Sequence, residues 1–458
     1  MDVIAAIATG SAATAIGIVR VSGPGCFTLC DQVFRASAGR PFAQLESRKM
    51  AFGEMLDAQG RVIDRGLAVR FPGPHSYTGE DSAEFHCHGS PVVLRELLSA
   101  LFAAGARQAR AGEFTRRAFL NGRLDLTQAE AVVDLIDAET AAAARNAAAQ
   151  LDGSLRRDFE AIYDTLLNIS SQFYAVVDYP DEDIEDIQPA DIAGALRAAG
   201  QTLARLLATC SRGRVLKHGV RTAIVGRPNA GKSSLLNALA GYDRAIVTEI
   251  PGTTRDTVEE AVLCGGVLLR LIDTAGIRET EDTVERLGVA RSRQAVESAD
   301  LVLAVVDSSR PFTAEDEAIL ALAAQQERWI LIGSKADLPS APVPFISWQP
   351  DQHPPAAVLS VSSVTGEGLE DLEHAVAALF PDGAIPDGAV LTSERQQDAA
   401  RRAQDAIRRG LSALEGGLTP DAVLTDVEEA LGALGELTGK TAREEIVSRI
   451  FERFCVGK

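Results

Sequence analysis

The sequence predicts a multidomain α+β chain: a small N-terminal α+β domain, a helical bundle built from two separated stretches, and a phosphate-binding α/β domain inserted between them. Residues 220–237 read V-R-T-A-I-V-G-R-P-N-A-G-K-S-S-L-L-N, an apolar strand running through a glycine-rich turn into an amphipathic helix. Helix-spaced apolar residues in an alanine- and leucine-rich background stop near Lys217 and resume only after Pro386. At 458 residues the chain also exceeds what one ordinary core holds. The expected boundaries are 1–118 for the N-terminal domain, 119–215 and 383–458 for the two parts of the helical domain, and 216–382 for the insert. Such an insertion would transmit loop movements to the bundle.

Composition narrows the function. With 45 basic against 64 acidic residues and a net charge of -19, the chain lacks the broad basic surface of an autonomous nucleic-acid binder, so any RNA must meet a local patch or a partner. No apolar run is long enough to span a bilayer, and Met1-Asp2-Val3 lacks the positive start of a signal peptide. A soluble, cytoplasmic protein is expected, with no membrane partner. Six cysteines (Cys26, Cys30, Cys87, Cys210, Cys264 and Cys455) show no disulfide or zinc-ribbon spacing and read as reduced thiols.

In the N-terminal domain, residues 16–21 and 66–71 alternate like strands, and residues 91–104 have helical spacing after a turn. Residues 72–81, P-G-P-H-S-Y-T-G-E-D, are too rich in turn formers for a strand and suit a binding loop or an ordinary surface loop. Glu84, His86 and His88 share one face of a strand, which is either a half-buried polar face or a metal site; three ligands within one strand rarely close a coordination shell. Cys26 and Cys30 share a helical face and are expected to pack in the core.

Residues 119–210 read as a bundle, with Ala131, Val132, Leu135 and Ile136 spaced as one helical stripe. Tyr179, Pro180 and the acids Asp181, Glu182, Asp183, Glu185 and Asp186 interrupt it: the proline ends one helix and the carboxylates suit the start of another, with metal binding as the alternative. Helices return over residues 399–414 and 422–454.

The insert carries the chemistry. Gly226, Gly231, Lys232 and Ser233 fill G-x-x-x-x-G-K-[ST], whose backbone N–H groups curl around phosphates at a helix N-terminus, with Lys232 reaching the β/γ-phosphates and Ser233 a Mg²⁺. A glycine-rich turn that binds nothing is the alternative, and the flanking strand and helix argue against it. Downstream, Thr248, Glu249, Ile250, Pro251, Gly252, Thr253 and Thr254 stand where a switch segment would supply hydroxyls to Mg²⁺ and the γ-phosphate. A strand at 268–272 runs into Asp273, Thr274, Ala275 and Gly276, of which Asp273 suits a water-mediated hold on Mg²⁺ and Gly276 a backbone donor to the γ-phosphate. Residues 301–307 and 330–333 read as buried strands. The second ends in Ser334, Lys335, Ala336 and Asp337, which is N-K-x-D in all but its first residue. Asp337 can accept hydrogen bonds from guanine's ring N–H and amino group, which adenine does not supply, so GTP is expected. The absent asparagine would tie the base to the phosphate loop, and Ser334 therefore counts against tight binding. Ser362, Ser363 and Val364 look like the last base-contacting loop.

The ordered motifs GRPNAGKSS, TEIPGTTRD, DTAGIRET and SKAD, set within helical arms and before Phe454-Cys455-Val456-Gly457-Lys458, resemble the MnmE (TrmE) family of tRNA-modifying GTPases over essentially the whole chain. GIVRVSGP, YTGEDSAE and GEFTRRAFLNGRLDLTQAEAV are similar to that family's N-terminal and early helical signatures. The resemblance implies a Ras-like P-loop G domain in the insert and a tetrahydrofolate-binding, dimerising N-terminal domain. It implies a homodimer that joins an FAD-dependent partner of the MnmG (GidA) family in a heterotetramer. The implied product is an aminomethyl or carboxymethylaminomethyl group at C5 of the wobble uridine of certain tRNAs, made with 5,10-methylenetetrahydrofolate, for which 5-formyltetrahydrofolate is an analogue. Folate contacts match Arg20, Glu80, Arg123 and Lys458; arginine stands at 123 where the family commonly has lysine, and Ala8-Thr9-Gly10-Ser11-Ala12-Ala13 lacks the usual proline-glycine start.

The resemblance also assigns roles. Asn229 of the phosphate loop, with Thr248, Ile250 and Thr253, would hold a K⁺ where an arginine finger acts in other GTPases, while Ser233 and Thr254 hold Mg²⁺; Arg255 is the competitor as a finger in cis. Glu285 would orient the attacking water, or be only an acid in a helix's first turn. Cys455, beside Lys458, would take part in the modification chemistry. Against that, Phe451, Phe454 and Cys455 fall at i, i+3 and i+4, the spacing of an apolar helical face. A switch GTPase that binds ribosomes or RNA without modifying it is the alternative function; such proteins usually carry a basic module, which this acidic chain lacks.

Overall fold

The structure is a computed structural model and describes residues 2–10, 12–178, 188–242, 260–272, 293–339, 353–380, 390–442, 444–452 and 454–457. It divides into two compact units, Met1–Val133 with Gln150–Leu203 and Asp398–Lys458, and Asp134–Ala149 with Ala204–Gln397.

The first unit is built on a seven-stranded sheet. In chain order its strands are β1 (Ile4–Ile7), β2 (Thr14–Ser22), β3 (Phe34–Ala36), β4 (Ala51–Leu56), β5 (Val62–Phe71), β6 (Ser82–Gly89) and β7 (Arg107–Gln108), arranged β3-β4-β5-β6-β2-β1-β7. Every pairing is antiparallel except β1 with β7. Alternation decides the faces: Val19 and Val21 of β2 and Ala83, Phe85 and Cys87 of β6 point into a core shared with helices Cys26–Val33 and Pro91–Ala103. Cys26 and Cys30 lie in that core, and burial pushes the Cys26 thiol up to about 12.

Helices Glu113–Leu120, Leu126–Ile136, Ser154–Asp178, Pro189–Leu207, Glu394–Glu415, Pro420–Thr438 and Glu444–Phe451 supply the helical part of the chain together with Ala141–Leu151 and Cys210–His218. The expected continuous run over 422–454 is instead two helices. It breaks at Gly439, which takes φ +91, and a Cβ there would stand 2.6 Å from the Phe119 ring. The break lets Val447, Phe451 and Phe454 close on Leu126, Ala129 and Val132 in one apolar cluster.

The second unit holds a six-stranded sheet of β8 (Val220–Val225), β9 (Glu260–Cys264), β10 (Val267–Leu271), β11 (Leu301–Asp307), β12 (Trp329–Ser334) and β13 (Ala357–Val361), in the order β13-β12-β11-β8-β10-β9. Only the β9–β10 pair is antiparallel. The strands are almost wholly apolar because both faces are covered, which suits a doubly wound sheet. The order reverses at β8, so the loop after β8 opens at the carboxyl edge where such sheets bind ligands.

Candidate functional site

Two sets of residues gather, one in each unit. At the carboxyl edge of the second sheet, β8 turns through residues 226–231 into the helix Lys232–Tyr242. Gly226 is required because a Cβ would stand 2.4 Å from the Val305 carbonyl. Asn229 and Gly231 take φ of 60° and 97°, which curls the backbone toward the helix start. Lys232 Nζ donates to the carbonyls of Gly226 (2.7 Å) and Arg227 (2.8 Å), holding the ammonium over the loop, and burial lowers its pKa. Ser233 and Ser234 follow in the first turn and are exposed, as is Asn229, while Ala230 is buried. A cavity of about 200 Å³ adjoins the loop, walled by Pro228, Ala230, Asp307 and Arg310 among others.

Strand β12 delivers the second motif. Ser334 pairs in register with Asp307 on one side and Val361 on the other, so three strand ends meet here. Contrary to the sequence expectation, Ser334 does make a tether: its Oγ lies 2.5 Å from the Ala230 carbonyl and 3.2 Å from that of Val306, and its one proton serves either. Lys335, at φ 60°, donates to Asp307 Oδ2 at 2.7 Å. Burial pushes the Asp307 carboxyl up, but Lys335 and the Ser309 hydroxyl and N–H hold it below its ordinary value. Ala336 N donates to the Val361 carbonyl. Asp337 is exposed, and its Oδ1 accepts from the Ser362 hydroxyl at 2.7 Å; the same Oγ accepts from the N–H groups of Val364 and Thr365. Ser363 stands between them in the same loop. Phosphate loop, base motif and last loop are thus cross-linked by two serine hydroxyls. Residues 248–254, 273–276, Glu285, Arg255 and Lys458 lie outside the described residues.

The other set surrounds the loop 72–81. Ser22 Oγ lies 2.7 Å from Thr78 Oγ1, 3.1 Å from Ser82 Oγ and 3.2 Å from Glu80 Oε2. Arg117, which the sequence reading did not single out, is buried and donates to Glu80 Oε2 at 2.9 Å and to Asp2; the Glu80 side chain is 9% exposed. The signal was available: Phe114, Arg117 and Ala118 fall at i, i+3 and i+4, so Arg117 shares the buried face. Glu80 Oε1 is buried with no hydrogen-bond partner among the described residues. Arg20 pairs with Glu84 (2.9 Å) rather than Glu80, and its guanidinium lies over the rings of Tyr77 and Phe114 at 5.6 and 5.7 Å. Arg123 is exposed and packs at the Gly79 turn, 3.3 Å from where a Cβ of Gly79 would be. The polar strand face has its own partners: Glu84 serves Arg20, and His88 meets Asp64 at 2.9 Å.

The C-terminal segment comes to the same place. Val456 bridges Ala111, Gly112 N donates to the Cys455 carbonyl at 3.4 Å, and Gly457 brings its carbonyl to 3.5 Å from Arg20 Nη1. The apolar-face reading of Cys455 fails because the helix ends at Phe451; Phe454 is buried while Cys455 is exposed, and the other five cysteines are buried. Nor does the segment hang free, since the bridge and the Gly457 contact pin it.

Known proteins share this order of motifs. A family model described as the MnmE helical domain matches residues 126–455, and one described as the GTP-binding protein TrmE N-terminus matches residues 3–123. Proteins called tRNA modification GTPase MnmE from Roseiflexus sp. RS-1 and Thermus thermophilus are each 45% identical, covering 100% of this chain and 99% of theirs. One from Chloroflexus aurantiacus is 44% identical over 100% of both chains.

The chain belongs to the MnmE family.

It is therefore a tRNA modification GTPase with a TrmE-type N-terminal domain, a helical domain and a P-loop G domain, and its nucleotide is GTP. The helical-domain match runs in sequence from residue 126 to 455, across the G domain. No helix among the described residues is long and apolar enough to cross a membrane.

Proposed function

We propose that this GTPase works as a homodimer joined to an FAD-dependent partner of the MnmG (GidA) family, and that it places an aminomethyl or carboxymethylaminomethyl group on C5 of the wobble uridine of certain tRNAs. The observation that supports this best is Glu80. A carboxylate oxygen that is buried and unpartnered among the described residues costs free energy unless a donor meets it, and a pterin ring has the N–H edge to do so. Arg117 orients Glu80 through the other oxygen. Arg20 and Arg123, with Lys458, would offer cations to the glutamate tail of the tetrahydrofolate, and the exposed Cys455 thiol stands in the segment whose Gly457 carbonyl neighbours Arg20. When bound, 5,10-methylenetetrahydrofolate supplies the one-carbon unit. Calorimetry with 5-formyltetrahydrofolate is expected to show binding to the wild type and none to Glu80→Ala; equal binding would remove the site. Cys455→Ser is expected to abolish the modified nucleoside in tRNA while melting at the wild-type temperature, and a wild-type level of product would dismiss the role of the thiol.

In the G domain, Lys232 and the N–H groups of the 226–234 turn would hold the phosphates, and Asp337 would accept from guanine; the Lys232 contact with the loop carbonyls and the Ser362–Asp337 hydrogen bond support this reading. Ser233 and Thr254 would hold Mg²⁺; Asn229 with Thr248, Ile250 and Thr253 would hold K⁺; these ions supply positive charge to the phosphoryl group in transfer. Glu285 would orient the water. Hydrolysis is expected to run faster in K⁺ than in Na⁺, and equal rates would transfer the role to a side chain such as Arg255.

A further inference from the structure

Beside the turn 121–124, the first unit contains a cavity of about 560 Å³ whose lining does not include Arg20, Glu80 or Arg123. Its walls include Arg116 and Phe119, Leu124 and Asp125, Arg156 of helix Ser154–Asp178, and Lys440 from the break between the last two helices. None of these residues has a place in the sites above. The volume falls within the range of small-molecule pockets.

Asp125 is the unusual member. Its side chain is 8% exposed, and its Oδ1 accepts from the Thr127 hydroxyl (2.7 Å) and the Gln128 N–H (2.8 Å), capping the helix that follows. The cap occupies one oxygen. Oδ2 is buried and has no hydrogen-bond partner among the described residues, so the site keeps a strong acceptor that the fold does not use. Burial pushes this carboxyl above its ordinary value, with Arg156 acting the other way. Around it stand three cations, of which Arg156 pairs with Glu160 at 3.1 Å and Lys440 sits 4.2 Å over the Tyr163 ring. Phe119 and Leu124 give the cavity an apolar wall next to these charges. The complementary ligand is flat, carries an N–H edge and ends in an anion. A nucleotide has all three: the edge of its base, the face of the ring and the phosphate.

We propose that this cavity seats one unstacked nucleotide of the tRNA, with the base's N–H edge on Asp125, its face along Phe119 and its phosphate among Arg116, Arg156 and Lys440. A carboxylate oxygen accepts from the ring N–H of uracil or guanine and from the amino group of cytosine or adenine, so the contact reads an N–H edge rather than one particular base. The choice of RNA over a free mononucleotide rests on the family's tRNA modification activity.

The test uses the full chain in a strain lacking its own copy, with mass spectrometry of tRNA nucleosides, together with binding of a fluorescein-labelled RNA hairpin that has a seven-nucleotide loop and a uridine at the wobble position. Asp125→Asn keeps the Oδ1 cap and replaces the Oδ2 acceptor by a donor; Lys440→Glu changes an exposed residue. Both are expected to melt as the wild type does, to raise the hairpin Kd by about tenfold or more, as loss of a charge-assisted contact implies, and to lower the modified nucleoside. If the wild type restores modification and both variants match it in product and in Kd, the cavity holds no nucleotide, while the tRNA reading stands. Failure of the wild type itself to restore modification would bring down that reading, and the proposal with it. Binding of UMP that depends on Asp125, without binding of the hairpin, would mean a free mononucleotide and overturn the RNA assignment.

Discussion

The hydroxyl of Ser334 joins the guanine motif to the phosphate loop through the Ala230 carbonyl, and a side chain with no proton to give would part them. Loss of one neutral hydrogen bond is worth about 1 kcal/mol, so Ser334→Ala is expected to weaken GTP binding roughly fivefold. Titration with a fluorescent GTP analogue measures this, and an unchanged Kd would show that the tether carries no binding energy. The contact could not be read from the sequence, because it depends on where the Ala230 carbonyl points once Asn229 and Gly231 have taken positive φ. Lys232, by contrast, was legible, since its place follows from the backbone that the motif itself dictates. Arg117 lies between these cases: its burial follows from helical spacing with Phe114, but its partner Glu80 is 37 residues away in sequence, and no local pattern joins them.

At the scale of elements, the helix Glu113–Leu120 is fixed at its start by charge. Gly112 takes φ 63°, and Glu113 stands in the first turn, where a carboxylate is favoured. Burial pushes the Glu113 carboxyl up, but hydrogen bonds from the Arg107 guanidinium and the Arg110 N–H, with the nearby Arg117, bring it down to about 2 from an ordinary 4.5. A depressed pKa gives stability that is present above about pH 4.5 and is lost as the pH falls toward 2. Glu113→Gln is expected to lower the melting temperature at pH 7 and to flatten its decline between pH 5 and about pH 3; parallel curves would show that other carboxylates carry the acid sensitivity. The strands β2 and β5 and the helix Pro91–Ala103 were all legible as alternation or 3.6-residue spacing, because one face of each meets a core. The break at Gly439 was not, since apolar spacing continues on both sides of it and only the packing of Phe119 demands the turn.

For the whole molecule, the seven-stranded sheet raises the question of what covers its second face. Helices Cys26–Val33 and Pro91–Ala103 bury one side. On the other, register aligns Phe52 with Leu67, Leu67 with His86, and His86 with Ile18, and Ile16 lies one pair further along β2. Phe52 is 56% exposed, Ile16 60% and Leu67 36%, in a position where an open antiparallel sheet ordinarily shows polar residues to water. An isologous pairing of two such faces would remove these side chains from solvent and account for their chemistry, so the proposed homodimer is expected to form through this sheet. Leu67→Asp places a charge at the middle of the row without touching the core on the opposite face. Light scattering is expected to give about the mass of one chain, 48.5 kDa, for this variant and twice that for the wild type. A charge at the centre of a desolvated interface is among the strongest ways to oppose association, so a variant that stayed dimeric would move the interface away from this sheet and leave Phe52 and Leu67 to face the FAD-dependent partner or the RNA instead.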